Sequence, residues 1–89
     1  MKAETLKLFR INVLTQLRAA GRLGMTVKEL VVNSKSVGFP DASEDDVKNE
    51  LDYLIDKKQV KKLPQEISPE VESFAITGDG RDWMANQNL

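Results

Sequence analysis

Apolar residues recur at helical spacing through the first twenty positions. Leu6, Phe9, Val13, Leu14 and Leu17 follow one another at intervals of three and four with a single adjacent pair, the stripe of a helix packed against a core. The pattern predicts a helix over residues 3–20, closed near Gly21, with Arg18 and Arg22 as cations at its C-terminal end. Leu8 and Ile11 fall beside the stripe. They cover another part of the core, or they form a contact between two copies of the chain.

Leu23, Gly24 and Met25 are too few for an independent element and read as an extended pair at a sheet edge. Thr26 and Glu29 have capping-box spacing, so a second helix should start there with Val27, Leu30 and Val31 inward. It fades through residues 33–36. Residues 37–42 carry a Gly and a Pro that stop helices, with Phe39 as a buried anchor of the turn. Ser43 then suits an N-cap, and Asp46 is a weaker form of the capping-box partner. Val47, Leu51, Leu54 and Ile55 mark the inner face of a third helix. At about 100° per residue its opposite face carries Asp45, Asn49, Asp52, Tyr53 and Asp56.

From Val60 the period changes. Residues 60–63 read as a short strand, residues 64–69 with their two prolines as a loop, and residues 71–77 as a returning strand with Phe74 and Ile76 inward. Thr77 or Asp79 can cap a last helix from Gly80 to about Asn86, holding Trp83 and Met84. Trp83 is expected against the first helix, and the last four residues as a frayed tail. The expected fold class is α+β: a three-helix core, a two- to three-stranded β-wing and a short C-terminal helix, in one domain over residues 1–89.

Composition narrows the chemistry. The chain has 89 residues with neither cysteine nor histidine. Disulfides, thiol chemistry and the commonest general base and zinc ligand are therefore unavailable, and no enzymatic activity and no cofactor are expected. The acids at 41, 45 and 46 lack the alternating ligands and glycine of a calcium loop, and a helix start accounts for them. The glycines at 78 and 80 lack the lysine of a phosphate-binding loop. No apolar run approaches a membrane span, and no signal-peptide core follows the N-terminus, so a cytoplasmic protein is expected.

Net charge is −1 but unevenly spread. Residues 1–40 are positive, residues 41–56 strongly negative, residues 57–62 hold four lysines, and the remainder is negative. A positive pole is expected from Lys28, Lys35, Lys57, Lys58, Lys61 and Lys62, and a negative one along Asp45, Asp52 and Asp56.

The order of elements resembles the winged helix-turn-helix over residues 5–85. Ile11, Leu14 and Leu17 before the turn at 21–24 look like the first helix of that family. Thr26 to Leu30 look like the start of its second helix. Val47, Leu51, Tyr53, Leu54 and Ile55, then a charged turn and Val60, look like its third helix entering the wing. Phe74, Ile76, Thr77 and Gly78 look like the wing's return strand. The chain also resembles small winged-helix proteins encoded in Mu-like prophages. The resemblance implies a DNA-binding protein of the transcription-regulator type, with the third helix in the major groove and the wing on the backbone. Carried over by position, the DNA contacts would be Lys28, Lys35, Lys48, Asn49, Lys57, Lys58, Lys61 and Lys62. The acids at 45, 52 and 56 depart from the pattern, since affinity for duplex DNA rests largely on Lys and Arg. They imply weak or non-specific DNA contact, or the alternative of a protein-interaction module using Asp45, Asp52, Tyr53 and Asp56 on a basic partner. A homodimer through Leu8 and Ile11 is compatible with both.

Overall fold

The computed structural model describes residues 1–64 and 71–89, and it is an α+β arrangement of four helices and a three-stranded antiparallel sheet. Helix α1 spans Ala3–Ala20 and buries Phe9, Val13, Leu14 and Leu17. Leu6 belongs to the same stripe by spacing, yet it is exposed, at 36% of its surface. Gly21 ends the helix at φ 60°, its N–H donating to the Leu17 carbonyl. A single tight helical turn, Gly21–Leu23, leads to Gly24 at φ 69°, where a Cβ would collide with the Phe74 carbonyl and the Leu63 side chain. Glycine is required there on both counts.

Strand β1 is the pair Met25–Thr26, and helix α2 follows at Val27–Ser36. Its capping box is complete: the Glu29 N–H donates to Thr26 Oγ1 at 3.2 Å, and the Thr26 N–H to Glu29 Oε1 at 3.0 Å. The helix runs through the polar residues at 33–36, which the sequence alone reads as fading. Ser34 explains part of this, being fully buried and accepting hydrogen bonds from Asn12 and Gln16 of α1. Phe39 is half-buried, with its ring edge-on to Phe9 at 5.2 Å between centroids.

Helix α3 spans Glu44–Asp56. Ser43 and Asp46 exchange both capping-box hydrogen bonds at 3.1 Å, so aspartate serves where glutamate is usual. The helix stops in a Schellman arrangement, with Lys58 N–H on the Ile55 carbonyl and Gln59 N–H on the Leu54 carbonyl, both at 2.9 Å. Lys58 takes the left-handed position at φ 61°.

Strands β2, Val60–Lys62, and β3, Ser73–Ile76, complete the sheet in the order β1-β3-β2. Met25 pairs with Phe74 on one side of β3, and Val60 pairs with Ile76 on the other. Phe74, Ala75 and Ile76 are all buried, one residue more than alternation predicts, because the strand is central and a methyl group needs little cover. Most of the loop expected at residues 64–69 lies outside the described residues.

Helix α4 spans Gly78–Asn86 and is capped by Thr77, whose Oγ1 accepts from the Gly80 N–H at 3.1 Å. The same hydroxyl donates to the Lys58 carbonyl at 2.7 Å, tying α4 to the turn that ends α3. Met84 is buried and Trp83 is half-buried against the core. The last residues are not frayed. Asn88 adopts φ 60°, Leu89 N–H donates to the Met84 carbonyl at 3.0 Å, and Arg18 Nη1 donates to the Leu89 carbonyl at 2.9 Å.

Candidate interaction face of the third helix

Two faces of α3 have to be distinguished. The inner face carries Val47, Leu51 and Leu54, all at most 1% exposed, and with them Glu50 at 3%. A buried carboxylate needs a partner, since desolvation of an unpaired charge costs several kcal/mol. Arg10 of α1 supplies it, with Nε bonded to Glu50 Oε1. The same guanidinium lies over the Tyr53 ring, 3.9 Å from its centroid, and Lys57 Nζ approaches the ring at 5.6 Å. Tyr53 is therefore turned toward α1. It is 40% exposed, and the face nearest Arg10 is already occupied.

The outer face is the stripe Asp45, Asn49, Asp52 and Asp56, at spacings of four, three and four, and all four residues are exposed. At 1.5 Å per residue the stripe is about 16 Å long. Among the described residues, the ion pairs are Arg10 with Glu50 and Lys62 with Glu72 at 3.3 Å, so none of the three aspartates has a cation beside it. Lys48 lies one step round the helix. Its spacing from Glu44 and Asp52 suits helical pairing, but no described carboxylate comes within ion-pair distance.

The lysines expected to contact DNA are exposed on α2, on α3 and its C-terminal turn, and on β2. Lys28 and Lys48 line one open groove of about 380 Å³ with Glu44, Glu72, Thr26, Val27 and Val71. Lys35 is exposed on α2, seven residues from Lys28 and so on the same side of that helix. Lys57, Lys58 and Lys61 are exposed near the C-terminal end of α3, while Lys62 is half-exposed and engaged by Glu72. The described structure brings Lys28 and Lys48 to one groove, which Glu44 and Glu72 also line.

Arg10, Glu50 and Ser34 are the structurally important polar residues that the apolar pattern hides. Glu50 could have been found: it falls three residues after Val47 and four before Leu54, inside the apolar sector of α3. No family model matches the chain, and no curated protein matches it. None of the described helices is long and apolar enough to cross a membrane.

Proposed function

We propose that this is a winged-helix-like interaction module that docks on a basic protein surface through the outer face of α3. The order α1, β1, α2, α3, β2, β3 and the central position of β3 support the winged-helix reading, with α3 at the position of the recognition helix. The exposed stripe of Asp45, Asp52 and Asp56, without an ion-pair partner among the described residues, carries the functional part. In the major groove each of these carboxylates would approach phosphates. At about 4 Å each repulsion is roughly 1 kcal/mol even at the dielectric of water, and more where water is excluded. Against lysine or arginine side chains the sign reverses, and the same field steers the partner to the face.

The test is isothermal titration with a cationic amphipathic helical peptide rich in lysine, at low salt. Binding that weakens at least tenfold in Asp52→Lys with Asp56→Lys supports the reading, whereas equal affinity of that variant and the parent protein overturns it.

A second reading keeps the DNA-binding role. The exposure of Lys28, Lys35, Lys57, Lys58 and Lys61 around α3 favours it. The flanking lysines would hold the backbone while the aspartates stay away from phosphate, giving salt-sensitive and poorly selective binding. Under this reading Asp52→Asn with Asp56→Asn tightens binding to random-sequence duplex in fluorescence anisotropy. No tightening, with Lys61→Ala also without effect, removes it.

A further inference from the structure

Charge alone cannot hold a partner on the stripe of α3. An exposed ion pair strengthens an association by at most about fivefold, so Asp45, Asp52 and Asp56 together supply about a hundredfold. A micromolar complex needs a factor of about a million. The carboxylates steer a basic partner to the face, and the remainder has to come from apolar contact within reach of the stripe.

Such a contact lies at the N-terminal end of α3. An open groove of about 450 Å³ is formed by the start of α1 and the turn from α2 to α3. Its apolar lining is Met1, Phe39, Pro40 and Ala42, and the charged side chains at it are Asp41 and Asp46. Ala42 is buried, and the Phe39 ring is held edge-on by Phe9, so the floor is in place before anything binds. A cavity of roughly 150 Å³ takes a benzene-sized group, so the groove admits a large aliphatic or aromatic side chain. Asp46 follows Asp45 directly. Glu50 and Tyr53, four and seven positions further along the same flank, meet Arg10 of α1. The groove therefore opens beside the acidic stripe, on the side of α3 that turns toward α1.

Charge selects this groove over its neighbours. Neither Asp41 nor Asp46 has an ion-pair partner among the described residues. Two other open grooves, of about 380 and 270 Å³, both have Lys28 at the rim, which repels a basic partner. Further along the same flank Arg10 and Lys57 sit at Tyr53, so that flank is acidic only near its N-terminal end. We propose that the groove takes an apolar anchor from the same basic partner that docks on α3. The partner is a helical segment whose lysine or arginine face lies on Asp45, Asp52 and Asp56. One end of it carries a leucine-sized or aromatic residue that seats on Phe39 and Pro40, with Asp41 and Asp46 at the rim for flanking cations. This rests on the reading of the α3 stripe as a docking face for basic protein, and adds to it which partner residue supplies the affinity.

Isothermal titration of the full chain at low salt compares lysine-rich helical peptides carrying one leucine at either end with the same peptide carrying alanine there. One of the leucine peptides should bind about tenfold tighter than the alanine peptide, from burial of the larger side chain. Thr5 lines the groove from α1 and is exposed, so Thr5→Arg fills the groove from a helix surface position. It should bring the leucine-to-alanine ratio close to one. The ratio is the readout, so a general weakening by the added charge does not count. Asp52→Lys with Asp56→Lys should weaken both peptides and keep the ratio. Equal binding of leucine and alanine peptides overturns the anchor and leaves the α3 reading standing. Failure of every peptide to bind overturns that reading, and the anchor with it. A ratio that Thr5→Arg leaves unchanged puts the leucine elsewhere and overturns the anchor too. So does a parent chain that sediments as a dimer without peptide and as a monomer in Thr5→Arg, since a second copy then occupies the groove.

Discussion

Replacing Arg10 by methionine leaves the Glu50 carboxylate, 3% exposed, without a counter-charge between α1 and α3. Methionine keeps most of the aliphatic volume, so the change isolates the charge. Removing one partner of a buried pair costs about 3–5 kcal/mol, and the stacking of the guanidinium on Tyr53 adds about 1 kcal/mol. The reverse change is milder. Glu50→Gln keeps an acceptor, and the Arg10 side chain, 24% exposed, can turn toward water. About 1–2 kcal/mol is expected, the loss of a charge-assisted hydrogen bond. Removing both charges, as Arg10→Met with Glu50→Met, should return stability to within about 1 kcal/mol of the parent, because apolar replacements of buried pairs are close to neutral. Total stability for a chain of this length is on the order of 4–13 kcal/mol, so the Arg10 variant is close to unfolding at the lower end. Urea denaturation with a common m-value resolves all three. A cost below about 1 kcal/mol for Arg10→Met, or a larger cost for Glu50→Gln, would refute the assignment of Glu50 as a buried carboxylate that depends on Arg10.

Three further changes probe the turn that joins α3, β2 and α4. Lys58→Gly should raise stability by about 0.5–1 kcal/mol in urea melts, because φ 61° strains any residue with a Cβ. Gly80→Ala should cost about 1–3 kcal/mol, since its Cβ would meet the Gln59 carbonyl and the Ile76 side chain, and the backbone oxygen cannot move aside. Thr77→Val should cost about 2 kcal/mol by removing both the cap on Gly80 N–H and the donor to the Lys58 carbonyl, and hydrogen exchange should accelerate first in the first turn of α4.

Local chemistry made the helices legible. The apolar stripe of α1 places its limits at residues 3–20, and the two capping boxes fix the starts of α2 and α3. These features depend only on neighbours in sequence. What could not be read depends on contacts between distant residues. Leu6 carries the right spacing but stays exposed, which only the tertiary packing of α1 decides. Glu50 falls in the apolar sector of α3 by spacing, but its partner Arg10, forty positions earlier, is placed beside it only by the fold. Terminal position alone predicts a frayed tail, yet Asn88 tolerates the left-handed conformation and Arg18 reaches the Leu89 carbonyl. The outer face of α3 was legible in full: Asp45, Asn49, Asp52 and Asp56 follow from helical periodicity alone. Tyr53 was placed with them, and its turn toward Arg10 again rests on a long-range contact.

The central claim is that α3 presents a surface for basic protein rather than for duplex DNA. Backbone amide chemical shifts of the isotope-labelled protein, followed during separate titrations with a lysine-rich helical peptide and with random-sequence duplex DNA at the same low salt, test it most directly. The account predicts that the peptide shifts the amides of Asp45, Asn49, Asp52 and Asp56, and that duplex DNA leaves these four in place even if Lys28, Lys48 or Lys61 respond. Saturable shifts of the four by duplex DNA, with none from the peptide, would contradict it.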